Sequence, residues 1–209
     1  MKRTVSLILA AVILLLFVSC GGEKNREYNE EEVKAAAEVL ILKSAKLNDI
    51  FWGAGIPYEE DDNYKNGLYY PADFTYLHNL GAQTVDDILK LTAQVFTKGY
   101  TVSIYSSTFS SQTGDYGMAG YTRYYQGTEC IMVYSAYKPL LTDNVEYITE
   151  ELEVIGSKGQ VVTVKLPIKV TRGGEVQQSQ IEVNLIEEDE GWRIDSPTYA
   201  VFIEEIPNM

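Results

Sequence analysis

The C-terminal third of the chain alternates between apolar and polar residues with a period of two. From Val161 to Thr171 the even positions are apolar, and most odd positions are threonine, lysine or proline. This alternation is typical of a β-strand with one buried face. Apolar positions recur before and after it at Ile148, Leu152, Val154, Ile181, Val183, Leu185, Trp192 and Ile194. The sequence therefore predicts a four-stranded antiparallel meander from Val145 to Ile203, with a tight turn at Gly173–Gly174.

Pro167 interrupts the longest of these predicted strands. Proline has no backbone N–H and cannot donate a hydrogen bond to a β-ladder, so it is rarely found inside a sheet. The sequence therefore predicts a bulge or a locally unpaired edge at this position.

Helical periodicity occurs in two places before the meander. Asn29 precedes three glutamates and an apolar stripe, which predicts an N-capped amphipathic helix of about twenty residues that covers the sheet. Thr84, followed by two aspartates, predicts the start of a second helix, which Lys98–Gly99 would close. The two stripes are Val33, Ala36, Ala37, Leu40, Ser44, Leu47 and Phe51, and Ile88, Leu89, Thr92, Val95 and Phe96.

The segments around the second helix are less regular. Leu68–Phe74 predicts a short strand that is followed by a loop through Gly81. Tyr100–Phe109 is ambiguous: its β-branched residues favour a strand, and a continuation of the second helix is the alternative. Tyr121–Tyr125 and Glu129–Tyr137 predict a hairpin whose second strand is apolar on both faces.

This order of elements predicts an α+β fold. N-terminal helices would pack on a curved, mostly antiparallel sheet that ends in the C-terminal meander, forming a cone or cradle. A chain of 209 residues suits one such domain, which we assign to residues 29–209.

The N-terminus has the pattern of a secretory signal. Met1–Arg3 is positively charged, and the apolar run Val5–Phe17 is shorter than the roughly twenty residues that span a bilayer. Leu16–Cys20 resembles a bacterial lipobox, in which the cysteine is lipidated and becomes the mature N-terminus. We therefore expect a lipoprotein signal peptide over residues 1–19, a lipid anchor at Cys20 on the outer face of the cell membrane, and a polar tether over residues 20–28.

Acidic residues outnumber basic residues, and the formal net charge is −13. Residues 1–19 hold two of the 17 basic residues and none of the 30 acidic ones, so the remainder carries −15. This excess argues against nucleic acid as a partner and against electrostatic adsorption to anionic lipid. A basic partner is the natural complement.

Residues suited to catalysis are few. His78 is the only histidine, and Cys130 lies in an apolar strand. We therefore expect no catalytic triad, no metal site and no cofactor. An alternative is a proton-transfer or hydrolytic enzyme that uses a tyrosine and a carboxylate in a cone-shaped pocket, with Asp73, Glu150 and Glu151 as the candidate acids.

One candidate partner-binding stretch has four carboxylates between two tyrosines. It comprises Tyr58, Glu59, Glu60, Asp61, Asp62 and Tyr64, and Tyr69 and Tyr70 follow shortly after. A calcium loop would require spaced ligands and a glycine, which the stretch lacks. A solvated loop and a docking surface for a basic partner both fit it. The chain has 16 tyrosines, a residue that suits half-buried concave surfaces and exposed strands alike.

The arrangement of two helices, a hairpin and a meander that ends in Gly191–Arg193 resembles the cone-shaped α+β proteins related to nuclear transport factor two. More narrowly, Asn66–Tyr70, Thr84–Ile88 and Phe96 resemble the secreted DL-endopeptidase inhibitors that restrain cell-wall hydrolases in Gram-positive bacteria. This resemblance implies an acidic, non-enzymatic, cradle-shaped protein. The chain departs from the inhibitors in its Phe74–Gly81 connection.

Three functional hypotheses follow. The first is a membrane-tethered, non-catalytic binding protein, whose most specific form is an inhibitor of a peptidoglycan hydrolase, with a basic hydrolase or a wall fragment as its partner. The second is the tyrosine/carboxylate enzyme. The third is a structural or assembly lipoprotein with no small ligand. The sequence leaves the oligomeric state open.

Overall fold

A computed structural model of the chain describes residues 27–60, 68–110 and 121–199. The predicted signal peptide, Cys20 and most of the predicted tether lie outside the described residues. So do Asp61, Asp62 and Tyr64 of the candidate partner-binding stretch.

The predicted α+β fold is confirmed. Four helices and eight strands follow one another through the described residues, with a short 3₁₀ helix at Thr149–Glu151. The helices are α1 (Glu30–Trp52), α2 (Phe74–Leu80), α3 (Val85–Ala93) and α4 (Lys98–Thr108). The strands are β1 (Tyr69–Pro71), β2 (Tyr124–Gln126), β3 (Ile131–Tyr134), β4 (Asn144–Tyr147), β5 (Glu153–Lys158), β6 (Val161–Arg172), β7 (Glu175–Glu188) and β8 (Gly191–Ile194).

Within the described residues, which end at residue 199, the C-terminal sheet has five strands, whereas the sequence pattern predicted four. Its order is β4-β6-β7-β8, and β5 also pairs with β6. The first predicted strand is divided, because the 3₁₀ helix at Thr149–Glu151 separates β4 from β5. Both pieces then pair with the same edge of β6, β4 near Thr171 and β5 near Val161.

Pro167 lies where β6 changes its partner from β4 to β5. The register between β6 and β7 continues through it, with Pro167 opposite Gln180. Its carbonyl accepts a hydrogen bond from the N–H of Ile148 at 3.0 Å, so the position of its missing N–H faces the break between β4 and β5. The predicted locally unpaired edge is therefore present, and it requires no bulge in β6.

Helix α1 covers the inner face of this sheet and packs against β5 and β8. Asn29 caps it as predicted, since its side chain accepts hydrogen bonds from the N–H groups of Glu31 and Glu32. Two buried polar residues, Ser44 and Asn48, hydrogen-bond the hydroxyl of Thr198, at 2.7 Å each. The segment that follows β8 is thereby joined to the helix.

The prediction of a loop from Phe74 to Gly81 was wrong, because this segment forms α2. The Asp73 carboxylate accepts a hydrogen bond from the N–H of Tyr76 at 2.6 Å, and Gly81 ends the helix with a φ of 79°. Capping by an aspartate and a glycine thus stabilises seven residues that have no long apolar stripe.

The ambiguous segment Tyr100–Phe109 is helical. Helix α3 ends at Ala93, and Thr97 caps α4 by accepting a hydrogen bond from the N–H of Tyr100 at 3.2 Å. The prediction that Lys98–Gly99 closes the second helix was therefore wrong, since these residues begin the next one. The cap outweighs the β-branched residues of α4, of which Thr108 is buried together with Ile104.

A second sheet has the strand order β1-β3-β2. The predicted hairpin of β2 and β3 is present, and β3 is buried at every position. The strand predicted near Leu68 is β1, which pairs with the other edge of β3 and places Tyr69 opposite Tyr134.

Asp87 gives this fold a testable pH dependence. Thr84 and Asp87 form a reciprocal capping box at α3, and hydrogen bonds from Thr84, Lys90 and the Gln83 N–H lower the pKa of Asp87 to about 2. A lowered pKa stabilises the fold above the ordinary aspartate pKa of about 4, and this stabilisation is lost as the pH falls toward 2.

We therefore expect Asp87→Asn to destabilise the protein at pH 6, and the difference from the unmodified protein to shrink between pH 4 and pH 2. Urea unfolding at several pH values measures this. Asp86→Asn is the matched control, because Asp86 is an exposed neighbour in the same helical turn. Equal pH profiles for the two variants would contradict the assignment.

Candidate functional site

The tyrosines of the three-stranded sheet divide between its two faces, because successive side chains of a strand point in opposite directions. Tyr69 and Tyr134 are direct cross-strand partners on one face. Tyr125 lies opposite Met132, which shares that face with Tyr134. Tyr124 lies on the other face and is fully buried in the core. The sheet therefore has a core face and a tyrosine-rich outer face.

We call the outer cluster of Tyr69, Tyr121, Tyr125 and Tyr134 the tyrosine face. The centroid of the Tyr69 ring lies 4.9 Å from that of Tyr125 and 5.3 Å from that of Tyr134. Tyr121 stacks on Tyr134, with 5.2 Å between their centroids. Tyr121 and Tyr125 are each 41% exposed, whereas Tyr134 is buried beneath them. Such contiguous, partly exposed aromatic rings are typical of binding surfaces.

The backbone fixes the central ring of the tyrosine face. The Tyr69 hydroxyl donates a hydrogen bond to the Thr122 carbonyl at 2.8 Å and accepts one from the Thr122 N–H at 3.0 Å. A ring held at both its backbone and its hydroxyl has little side-chain entropy left to lose on binding. The central ring of the tyrosine face is thus held in place by the backbone of Thr122.

The candidate partner-binding residues separate into two places. Tyr69 belongs to the tyrosine face, while Tyr70 points to the opposite side of β1 and stacks on Tyr58, with 5.5 Å between centroids and 7° between ring planes. Glu59 and Glu60 follow Tyr58 and are exposed. The structure therefore joins Tyr58 and Tyr70 next to two solvated carboxylates, and it does not join Tyr69 to them.

Sequence reasoning missed Arg123, which supports the sheet from its core side. It is 5% exposed, donates a hydrogen bond from Nη2 to the Gly53 carbonyl at 2.7 Å, and lies 3.9 Å from the Tyr137 ring centroid. Its Nη1 has no hydrogen-bond partner among the residues that the structure describes. Its partner, the Gly53 carbonyl, lies 70 residues away in the chain, so no local pattern in the sequence indicated this role.

Tyr124 also connects the three-stranded sheet to the end of α1. Its hydroxyl donates to the Ile50 carbonyl at 2.7 Å and accepts from the Ile56 N–H at 3.0 Å. Burial raises the pKa of this tyrosine to about 12, so it stays a neutral donor. Arg123 and Tyr124 together attach the end of α1 and the turn after it to the sheet.

A polar cavity of about 600 Å³ lies near the same end of α1. Asn48, Asp49, Tyr147 and Tyr199 line one part of it. On another part Arg172 donates two hydrogen bonds to Asp143, from Nε at 3.0 Å and from Nη2 at 2.6 Å, and this ion pair lowers the pKa of Asp143. The charges of Arg172 and Asp143 are thus paired with each other.

The residues considered for catalysis lie apart. His78 is exposed on α2 and stacks on Phe74, with 6.2 Å between centroids. Burial and the neighbouring Glu129 raise the pKa of the Cys130 thiol, which disfavours the reactive thiolate. In residues 27–60, 68–110 and 121–199, no group of three histidine, cysteine or acidic side chains could hold a metal ion.

The three candidate acids lie in two different elements. Asp73 caps α2, whereas Glu150 and Glu151 are exposed in the 3₁₀ helix. A different tyrosine and carboxylate come together at Tyr100 and Asp195, where burial, Tyr199 and Asp195 raise the pKa of Tyr100. The Asp195 carboxylate itself accepts a hydrogen bond from the Thr97 hydroxyl at 2.5 Å. A raised tyrosine pKa keeps the hydroxyl protonated, so this group acts as a donor at neutral pH.

No protein-family model matches the chain, and comparison with curated proteins yields no match either. Within the part of the chain that the structure describes, no helix is both long enough and apolar enough to cross a membrane. The structure shows an α+β fold whose three-stranded sheet has the tyrosine face on its outer side.

The contacts of Arg123 and Tyr124 with the turn after α1 predict that alanine destabilises the protein more at Gly55 than at Gly81. Gly55 and Gly81 both have positive φ, 88° and 79°, so alanine strains either backbone by roughly 1–2 kcal/mol. At Gly55 the added Cβ would also overlap the Arg123 guanidinium and approach the Tyr124 hydroxyl to 2.7 Å, whereas at Gly81 it meets nothing within 4 Å.

We therefore expect Gly55→Ala to lower the free energy of unfolding by more than Gly81→Ala does, by a further ~1–3 kcal/mol, the cost of a disrupted buried hydrogen bond. Urea denaturation followed by circular dichroism measures both. Equal losses would show that Arg123 moves away freely and does not hold the turn after α1 to the sheet.

Proposed function

We propose that this protein is a lipid-anchored, extracytoplasmic, non-catalytic binding protein whose tyrosine face holds a cell-wall hydrolase in an inhibited state. The tyrosine face is the observation that carries the proposal. Tyrosine is enriched at protein–protein interfaces, where its ring buries apolar area and its hydroxyl finds a polar partner. Two rings of this face, Tyr121 and Tyr125, are available for such burial.

The charge of the chain supports a basic partner. The net charge of −15 outside residues 1–19 attracts a basic protein and raises the rate of association, an effect that salt screens beyond about 8 Å at physiological ionic strength. Glu59 and Glu60, exposed next to the Tyr58–Tyr70 stack, present part of this charge at the edge of the same three-stranded sheet. Attraction would then bring the partner to the sheet, and the tyrosine face would hold it.

The lipobox supports the location of the protein. Two acyl chains contribute about 0.8 kcal/mol per buried CH₂ group, which is sufficient for stable attachment. An anchor at Cys20 would keep the domain next to the wall, where hydrolases act. The tether and the anchor therefore belong to the same proposal as the tyrosine face.

The tyrosine face can be tested with a basic DL-endopeptidase and purified peptidoglycan. We expect the protein to slow the release of soluble wall fragments, and the double variant Tyr121→Ser/Tyr125→Ser to weaken this inhibition at least tenfold, since two interface tyrosines commonly contribute more than ~1.4 kcal/mol. Phe74→Ser is the control, because Phe74 is an aromatic residue that is 70% exposed but lies on α2, outside the tyrosine face.

Three results would contradict this proposal. The unmodified protein could fail to slow fragment release, the control could lose as much inhibition as the double variant, or the protein could itself release fragments. Thermal unfolding of each variant shows whether a loss of inhibition reflects the surface or the fold.

The anchor is tested separately. We expect Cys20→Ala to abolish lipid attachment and to move the protein from the membrane fraction to the soluble fraction or to leave it as an unprocessed precursor. Cell fractionation followed by immunoblotting measures this, and Cys130→Ala is the control for the loss of a cysteine. A processed Cys20→Ala protein that stays on the membrane would contradict the lipid anchor.

A further inference from the structure

Strand β7 is much longer than the strand that covers its outer edge. It runs from Glu175 to Glu188, but β8 pairs only with Leu185–Glu188. One residue before this paired segment, the Asn184 carbonyl accepts a hydrogen bond from the Asp195 N–H at 2.8 Å. The Asn184 N–H donates to the Ser196 hydroxyl at 2.9 Å. From Val176 to Glu182, no described residue pairs with this edge.

The backbone groups that face the open edge follow from the alternation of the strand. The N–H and C=O groups of one residue point to the same side of an antiparallel strand, and those of Asn184 point outward. Counting back in steps of two, the groups of Val176, Gln178, Gln180 and Glu182 also point outward. The intervening residues pair with β6 in an uninterrupted register. The edge therefore offers a row of regularly spaced donors and acceptors.

The open edge has one charged residue, Glu182, which lies at its end, and otherwise lacks the features that usually prevent strand addition. Natural edge strands carry lysine, proline or a bulge. Here six consecutive residues, Val176–Ile181, are uncharged and contain neither glycine nor proline, and the pairing with β6 has no register shift. Val176 is 62% exposed. In a chain with 30 acidic residues, an uncharged stretch on an open edge is a specific feature.

We propose that the β7 edge is a self-association site, at which β7 of a second copy of this chain adds in antiparallel orientation with the twofold axis at Ser179. This pairing is complementary to itself, as a twofold interface requires. Gln178 of each copy lies opposite Gln180 of the other, and each such pair exchanges two backbone hydrogen bonds.

The charges favour this register. With the axis at Ser179, Glu182 of each copy lies opposite the uncharged Val176 of the other, and Glu175 lies opposite Val183. No two carboxylates of the edge face each other directly, although each copy is strongly acidic. The occupant is therefore a second copy rather than a basic peptide, for which an acidic edge would be the expected complement. This inference is independent of the tyrosine face.

Disulfide trapping tests the register in the full chain. Residue 179 would face its own counterpart in a non-hydrogen-bonded pair, where the Cα atoms are about 4.5 Å apart, within the range that a disulfide spans. We expect Ser179→Cys in a Cys130→Ser background to form a disulfide-linked dimer in oxidised whole cells. Gln177→Cys is the matched control, because it lies on the same side of the strand but opposite residue 181.

Each result of the trapping decides the question. A dimer from Ser179→Cys with at least tenfold less from Gln177→Cys and from the background alone supports the proposal. No dimer, equal dimer from both positions, or a disulfide from residue 179 to a protein other than this chain overturns it. The last result would assign the edge to a different partner.

Charge placement gives a second test that leaves the hydrogen bonds to β6 intact. Gln178→Lys/Gln180→Lys opposes two lysines across both pairs, whereas Gln178→Lys/Gln180→Glu opposes lysine to glutamate in both. In the Ser179→Cys background we expect the first variant to lower the yield of dimer roughly fivefold or more and the second to preserve it. Equal yields, or a loss with the lysine/glutamate variant alone, would overturn the register.

Discussion

The alternation of β6 is the constraint on which the rest of the sheet depends. Its even positions, Val162, Val164, Leu166, Ile168 and Val170, are all buried under α1 and the adjoining core. A shift of one residue would move every one of these side chains to the solvent face, so the register with β7 is fixed over twelve residue pairs. Burial of one face thus determines the direction of every backbone group in both strands.

Two features of the sheet follow from that fixed register. Pro167 is at an odd position, so the side of the backbone that lacks an N–H is turned away from β7 and toward the break between β4 and β5, where little pairing is lost. The same alternation turns the N–H and C=O groups of Gln178 and Gln180 outward. The fixed register between β6 and β7 therefore explains both why Pro167 is tolerated in β6 and why the outer edge of β7 has unpaired backbone groups.

The sequence predicted what depends on local pattern. The N-caps at Asn29 and Thr84, the strand from Val161 and its returning partner all came from signals within a few residues of one another, and the order of these elements then predicted the α+β class. The helix at Lys98–Thr108 did not come from such signals, because its start depends on Thr97, a cap that lies directly after the buried Phe96 and so interrupts an apparently continuous helical stripe.

The candidate site was harder to predict, because its members are distant in the chain. Tyr69 and Tyr70 were grouped as neighbours in sequence, but a strand directs neighbouring side chains to opposite faces, and only pairing with β3 shows which face is outward. Arg123 carried no local signal, since its partner is the Gly53 carbonyl, far along the chain. Strand alternation in the hairpin would have separated Tyr124 from Tyr125, but not located the ring contacts.

The two proposed interfaces use different physics and lie on different sheets. The tyrosine face would bind by burying aromatic rings and by hydrogen bonds from hydroxyl groups. The β7 edge would bind by backbone hydrogen bonds along a stretch without charged residues. Two acidic copies repel each other at long range, so edge pairing in dilute solution would be weak and would strengthen with salt. If both copies were anchored to one membrane as proposed, their effective concentration would rise toward the millimolar range, where even weak pairing is populated. The proposed lipid anchor and the proposed edge pairing are therefore compatible, because the anchor would raise the local concentration and so offset the repulsion between the two acidic copies.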